Sequence, residues 1–433
     1  MKRPIVITLL IVALALVCVG IGSVIYFANG FSVNNPFDRR NISSVLEESK
    51  TLKVDTTKPL TLKVADAAGD VTVTGGDVDT IQVKAVKTAY DSTQARADAE
   101  AKTIKYTIEQ TDGTITLKYE LPKSMNFSNN VNTVDFIVTV PTETSIKVDT
   151  SGEVSVSDTK GAVNIDNSFG KINVQNIEGA LKLSNNSGDI EATGIKAGAD
   201  NIELNSDFGN ITLEQANAAN ITFDSKSGKV SLKDVNATGD YNSKSDFGDT
   251  KFENGTATSV TIESKSGKVA LTKIKVSKLI KVQDDFGDIT LTQANAAEYD
   301  LHTNSGAITV DGVQSSLKAS TDFGNIEVAN ARSVTLNLLT KSGNIEFSGS
   351  LGAGPHTVTN DFGNVTLTLP ADSKLNADLK TDFGSIKSDL PITITLNGSS
   401  NSNSDQIVGA INGGGEQLTV HTKSGSVNIH TNK

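Results

Sequence analysis

A glycine followed by a short run of alternating apolar residues recurs from Gly152 to Gly425, and no other feature limits so strongly what this chain can fold into. Fourteen glycines mark the series, Gly209, Gly228, Gly248, Gly267 and Gly287 among them, at intervals of 18 to 21 residues before a last interval of 41. A period of this size is the mark of stacked repeats. Two and four residues after the glycine stand apolar pairs such as Ile211 and Leu213, Val230 and Leu232, and Val269 and Leu271. Seven and five residues before it stand pairs such as Ile202 and Leu204, Ile221 and Phe223, and Val260 and Ile262. Alternation with polar residues is the pattern of a half-buried strand. Each unit is therefore two short strands joined at a glycine corner.

Such units could form an antiparallel meander or the coils of a parallel β-solenoid. The residue two before the glycine separates the cases. It reads Asp207, Lys226, Asp246, Lys265, Asp285, Asn304, Asp322, Lys341 and Asp361. With one unit per coil, equivalent residues stack about 4.8 Å apart, and opposite charges alternate up the column. With two units per coil, like charges would stack, which is destabilising. The residue just before the glycine alternates too: Phe208, Ser227, Phe247, Ser266, Phe286, Ser305, Phe323, Ser342 and Phe362. Its parity matches the apolar positions, so these rings are expected to point inward and interlock with the small serines. Both columns predict an all-β, right-handed parallel β-solenoid with two strands per coil of about 19–20 residues over 151–433.

The ends depart from the pattern. Asp361 and Asp382 belong to consecutive Phe-Gly units, which predicts a like-charge contact. The long last interval implies a unit that has lost its glycine or become a loop, and the Ser-, Asn- and Gly-rich stretch 397–415 reads as that loop. His356 and Ser243 fall on core positions. Residues 51–150 read as a β-rich cap, with strand-like runs 61–64, 71–73, 81–86, 115–119 and 134–140. One helix is expected from Asp91 or Ser92 to Lys102.

At the other extreme, Lys2 and Arg3 precede an apolar run from Ile5 to Ala28, broken by Thr8 and Ser23. As a helix it would reach roughly 36 Å, enough to cross a hydrocarbon core of about 30 Å. Residues 1–30 are thus expected to form a short cytoplasmic N-terminus and a transmembrane helix in the lipid bilayer, with cleavage near Ser23, after the small Gly20 and Gly22, as the alternative. Residues 31–50 read as a stalk, and the remainder lies outside the cell membrane. Cys18 lies within this run behind Val17, too large for a lipid-modification signal.

Composition removes most chemistries. One cysteine permits no internal disulfide, and four scattered histidines give no metal-ligand spacing. A net charge of −11 without a basic stripe argues against nucleic acid. The tripeptide Asp-Phe-Gly occurs six times, always at the corner and without a phosphate loop, so it is not a kinase signature. Carboxylates that alternate with lysines do not form the acidic cluster of a polysaccharide-cleaving β-helix. No catalytic residue, cofactor or metal is expected.

The signatures Ser151-Gly152-Glu153-Val154 and Ser187-Gly188-Asp189-Ile190, the step Val140-Pro141, and Asn412-Gly413-Gly414-Gly415 before Thr422-Lys423-Ser424-Gly425 resemble the bacterial putative-adhesin family of β-strand-repeat proteins over roughly 51–433. The resemblance implies a membrane-linked surface binding module with a glycan or protein partner. Some relatives are linked to envelope-stress systems, which implies an accessory or sensor role as the alternative. No family active-site residue carries over.

Overall fold

The computed structural model describes residues 42–121, 131–397 and 405–432. The apolar run 5–28 lies outside them. Among the described residues no helix is long and apolar enough to cross a membrane.

The chain forms two compact units. Among the described residues the smaller comprises 42–46, 87–104 and 131–132. Its helix runs Gln94–Thr103, and Ala97 and Ala101, one turn apart, are its buried face. The helix begins later than expected. The Asp91 carboxylate accepts from the Ser92 amide and hydroxyl, and the Thr93 hydroxyl caps the helix by accepting from the Arg96 amide at 3.4 Å. The strand Ile42–Lys53 begins inside the segment read as a stalk.

The larger unit, Glu47–Val86, Lys105–Leu121 and Thr133–Lys433, is a parallel β-solenoid. Its register places one sequence unit per coil. Strand Ile202–Phe208 pairs in parallel with Ile221–Ser227, and that strand with Asp240–Phe247. The second strands run the same way, Ile211–Ala218 against Val230–Ala237 and then Thr250–Ala257. Every apolar residue of the two periodic sets thus lies on its counterpart in the next coil, as Ile202 on Ile221 and Leu204 on Phe223. These columns form the core, and fully burying such a side chain contributes about 1.5–3 kcal/mol. No coil could bury them alone.

Ser243 stacks between Phe223 and Ile262 in this core, beside the ring cluster Phe223–Tyr241–Phe252, whose centroids are 5.7 and 5.1 Å apart. The small side chain makes room for the large ones around it. His356 is buried with its Nδ1 accepting from the Leu336 amide at 3.3 Å.

At both ends the spatial order of coils differs from sequence order. Strand Leu60–Asp66 lies between Thr114–Tyr119 and Thr144–Thr150, parallel to both. Strand Val71–Gly76 likewise lies between Thr133–Pro141 and Val154–Ser157. Part of the region read as a cap is therefore a coil of the stack. At the other end, Glu416–Ser424 is inserted between His356–Phe362 and Leu375–Phe383.

This insertion corrects three expectations. The consecutive units of Asp361 and Asp382 are not neighbours, so no like-charge contact forms. No unit has lost its glycine across the long interval: Gly425 stacks between Gly363 and Gly384. The stretch read as a loop contains the strand Asp405–Ile411, antiparallel to both Leu375–Phe383 and Ile392–Asn397. That hairpin leads the chain back one level to lay the last coil beneath the one before it.

Candidate functional site

The glycine corner is built from five successive columns. Three residues before the glycine is a buried polar side chain that sequence reading passed over, among them Asn185, Ser206, Thr303, Thr321, Thr340 and Asn360. Its task is to satisfy carbonyls that the corner removes from the ladder. Thr321 donates to Gly306 O at 3.0 Å, Thr340 to Gly324 O at 3.0 Å, and Asn360 to Gly343 O at 2.9 Å. In the middle of the column Asp284 accepts from the Phe286 amide at 2.9 Å, and burial pushes its carboxyl above the usual range.

Two residues before the glycine is the charge ladder. Lys226 Nζ stands 2.6 Å from Asp207 Oδ1, Lys265 2.6 Å from Asp246, and Lys341 2.7 Å from Asp322. Asn304 donates to Asp285 at 3.0 Å. Each basic or amide group reaches back one coil to the aspartate before it. The hydrogen bond to Asp207, more than its charge alone, raises the Lys226 pKa. The out-of-sequence coil continues the series, with Lys423 2.8 Å from Asp361. Asp382 takes Lys380 at 3.1 Å and His421 at 3.5 Å, and the Lys380 contact holds its carboxyl below the usual value.

One residue before the glycine is the alternating phenylalanine and serine, and here the inward orientation expected from parity is overturned. Phe169, Phe208, Phe247, Phe286, Phe323, Phe362 and Phe383 are all between 61% and 68% exposed. The ladder shows why. Pairing runs through Ser206, skips Asp207 and resumes at Phe208, so the chain bends there. The inside of the bend is already filled by the polar column, and Ser206 Oγ donates to Gly209 O at 3.3 Å. The ring is left outside. Strand parity does not carry across a corner.

The glycines themselves stack at backbone contact. A Cβ on Gly267 would stand 2.1 Å from Gly248 O, at a φ of +137° that L side chains rarely adopt. After the glycine comes a second column that sequence reading missed, Asp or Asn in many coils. Asp189 accepts from the Asn210 amide at 2.8 Å, Asn210 from the Lys229 amide at 3.0 Å, and Asn344 from the Asn364 amide at 3.0 Å.

Taken along the solenoid, the corner is an edge of phenylalanines in every second coil, with a serine between each pair. Rings two coils apart are about 10 Å apart. In spatial order the alternation has no break, because Ser424 pairs with both Phe362 and Phe383. Every aspartate of the ladder lies in a phenylalanine coil and every lysine in a serine coil. Beside this edge a shallow polar concavity of about 540 Å³ is lined by Asp246, Lys265, Asp285 and His302, among others.

The histidines have structural partners. His302 contacts Ser320 at 2.9 Å and Asn304 at 3.1 Å, and His430 contacts Asp389 at 3.0 Å. Among the described residues no group of three or more His, Cys, Asp or Glu is placed to hold a metal ion.

The Toastrack DUF4097 description matches residues 57–285 and 277–430, nearly the whole described chain. The chain belongs to the Toastrack DUF4097 family. The adhesin-type resemblance drawn from the Ser-Gly signatures is thereby shown. Among solved structures, a putative cell adhesion protein from Clostridium sporogenes is 12% identical, with 90% of this chain and 100% of that one covered, at a TM-score of 0.18. A putative adhesin from Bacteroides fragilis is 14% identical, with 66% of this chain and 96% of that one covered, at a TM-score of 0.24. No curated protein matches. In Toastrack terms, the glycine corner is the part of this chain that carries its most regular surface chemistry.

Proposed function

We propose that this Toastrack protein is a non-enzymatic surface binding module, an adhesin-like right-handed solenoid anchored in the membrane by residues 5–28 and displayed outside the cell. The observation that carries this reading is the edge of seven exposed phenylalanines. Soluble proteins rarely leave large apolar side chains aligned in one exposed row, and such patches mark contact surfaces. Aromatic rings are also the side chains that dominate binding energy where they become buried. The strands beneath hold the row rigid, so little ordering entropy opposes contact. The partner is a surface glycan or protein; neither nucleic acid nor a cofactor enters the reading.

Protease treatment of intact cells that express the full chain tests the display, since an extracytoplasmic solenoid is cleaved without lysis. The same cells, applied to arrays of envelope glycans and surface proteins, are expected to be captured. The triple variant Phe247→Ser, Phe286→Ser, Phe323→Ser is expected to lower capture at least tenfold. Protection from protease, or capture indifferent to the three substitutions, would overturn the proposal.

A further inference from the structure

The phenylalanine edge carries a pattern that is complementary to itself. We infer that its occupant is a second copy of this chain, laid antiparallel with each phenylalanine seated on a serine of the other copy. This rests on the reading of the edge as a contact surface and adds the identity of the partner.

Three observations converge. The first is the period. Rings recur every second coil, about 10 Å apart, with a serine notch between them. A partner that fills those notches along the whole row must carry projections at the same spacing, and another copy of this edge has it.

The second is charge. Phenylalanine coils carry Asp207, Asp246, Asp285, Asp322, Asp361 and Asp382, whereas serine coils carry Lys226, Lys265, Lys341 and Lys423. A register that sets phenylalanine against serine therefore also sets aspartate against lysine or asparagine. A shift by one coil sets ring against ring and carboxylate against carboxylate. Size and charge select the same alignment, and both penalise the same error. The lysines keep donors for this, since Lys226, Lys265 and Lys341 are more than half exposed despite their bonds along the ladder.

The third is closure. A two-fold axis perpendicular to the solenoid, passing between the coils of Ser266 and Phe286, reverses the order of coils. Phe286 then faces Ser266 of the second copy, and the reverse holds at the same time. Outward from the axis, Phe247 meets Ser305, Phe323 meets Ser227, Phe208 meets Ser342 and Phe362 meets Ser187. Asp285 meets Lys265, Asp322 meets Lys226, and Asp207 meets Lys341. Such an interface is isologous and closes at a dimer. At roughly 100 Å² of apolar surface per ring, seven rings offer on the order of 700 Å² per copy, close to the ~800 Å² of a standard interface.

The test uses the purified full chain in detergent, with Cys18→Ser as background. Sedimentation over a range of concentrations is expected to give a monomer–dimer equilibrium. The triple variant Phe247→Ser, Phe286→Ser, Phe323→Ser is expected to raise the dissociation constant at least tenfold, with an unchanged far-ultraviolet spectrum as the check on folding. Ser266→Cys lies beside the axis, offset from its own counterpart by one coil spacing along the solenoid plus the gap that the seated rings leave between the copies; this is too far for a disulfide, and a short bis-maleimide is expected to link the two thiols. Ser342→Cys lies far from its counterpart and is expected to remain unlinked. A chain that stays monomeric, a dimer that survives the three substitutions, or cross-linking through position 342 but not 266 would overturn the inference. If self-association fails while the same substitutions still abolish capture by the arrays, the binding-module reading stands and only the second copy is excluded.

Discussion

The ammonium of Lys423 stands 2.8 Å from the carboxylate of Asp361, although the coil of Asp382 intervenes between them in sequence. This one contact records how the C-terminal coils are threaded. The chain runs past the level it must fill, passes through the antiparallel strands Ile392–Asn397 and Asp405–Ile411, and returns to lay Glu416–Ser424 between two phenylalanine coils. Had it stacked in sequence order, Asp361 and Asp382 would have met. Reversing the charge with Lys423→Glu creates a column of three carboxylates. Exposed pairs are individually worth about 0–1 kcal/mol, so the reversal is expected to cost about 1–2 kcal/mol in low salt. The loss should shrink in 1 M salt, where the screening length falls to about 3 Å. Hydrogen exchange in strands 356–362 and 416–424 at two salt concentrations measures both effects.

Gly267 and Gly198 separate two uses of glycine. Gly267→Ala places a methyl 2.1 Å from Gly248 O at a φ of +137°, so two coils must part or the corner must distort. Strain of this kind costs about 1–3 kcal/mol per residue before the clash is added. A loss above about 3 kcal/mol is expected in urea unfolding. Gly198 has a φ of +63°, within reach of asparagine, and nothing lies within 4 Å of a Cβ there. Gly198→Asn is expected to change stability by less than about 1 kcal/mol. Equal losses at the two sites would refute the role assigned to the glycine column.

The strands and their inward faces were legible in the sequence because each follows from strict alternation over a few residues, and the single unit per coil because charge alternates from one unit to the next. The pairs Asp207–Lys226 and Asp246–Lys265 were legible for the same reason: a stack of equal coils converts sequence period into spatial contact. What stayed hidden lies where parity breaks. Phe208 shares the parity of Ile202 and Leu204, yet the bend at Asp207 turns it outward. A second bend, six residues after the glycine, uses left-handed residues as unlike as Asn176, Gln215, Asp234 and Lys273, all with φ between +52° and +55°. Lysine and glutamine do not announce such a conformation; the stacked coils impose it. The threading of Glu416–Ser424 was hidden because local pattern carries no information on which coil is neighbour to which. The unbroken Phe/Ser alternation would have pointed to it, since Ser424 is the residue that restores it.

Asp66 gives the N-terminal coils a pH dependence of unusual sign. Its side chain is buried, Oδ1 accepts from the Ala68 amide at 3.0 Å, and burial, with smaller contributions from Asp135 and Asp70, pushes its pKa up to about 7. Between about pH 4 and 7 the folded coil keeps a proton that the unfolded chain has released. Stability is therefore full below pH 4, falls as pH rises to 7, and levels off above it. The difference from an ordinary carboxyl corresponds to on the order of 4 kcal/mol. Asp66→Asn keeps an acceptor for Ala68 and removes the titration. It is expected to abolish the slope, measured as hydrogen-exchange protection of residues 60–66 across that range. A slope that persists in the variant would assign the effect to another group.

His356 acts in the opposite direction near the C-terminal end. It is fully buried, and burial lowers its pKa below the ordinary value of about 6.5. Below that pH the unfolded chain binds a proton that the folded coil refuses, so the coils that hold His356 lose stability as pH falls from about 7 to 5. His356→Leu matches the apolar column of its ladder partner Leu418 and cannot be protonated. It also deprives the Leu336 amide of its acceptor, which costs about 1–3 kcal/mol for a buried donor. The variant is therefore expected to be less stable than the parent at pH 7.5 yet to lose nothing further on acidification to pH 5. Hydrogen exchange of strand 356–362 at both pH values reads the two effects separately. Acid sensitivity equal to that of the parent would show that the imidazole does not govern this end of the stack.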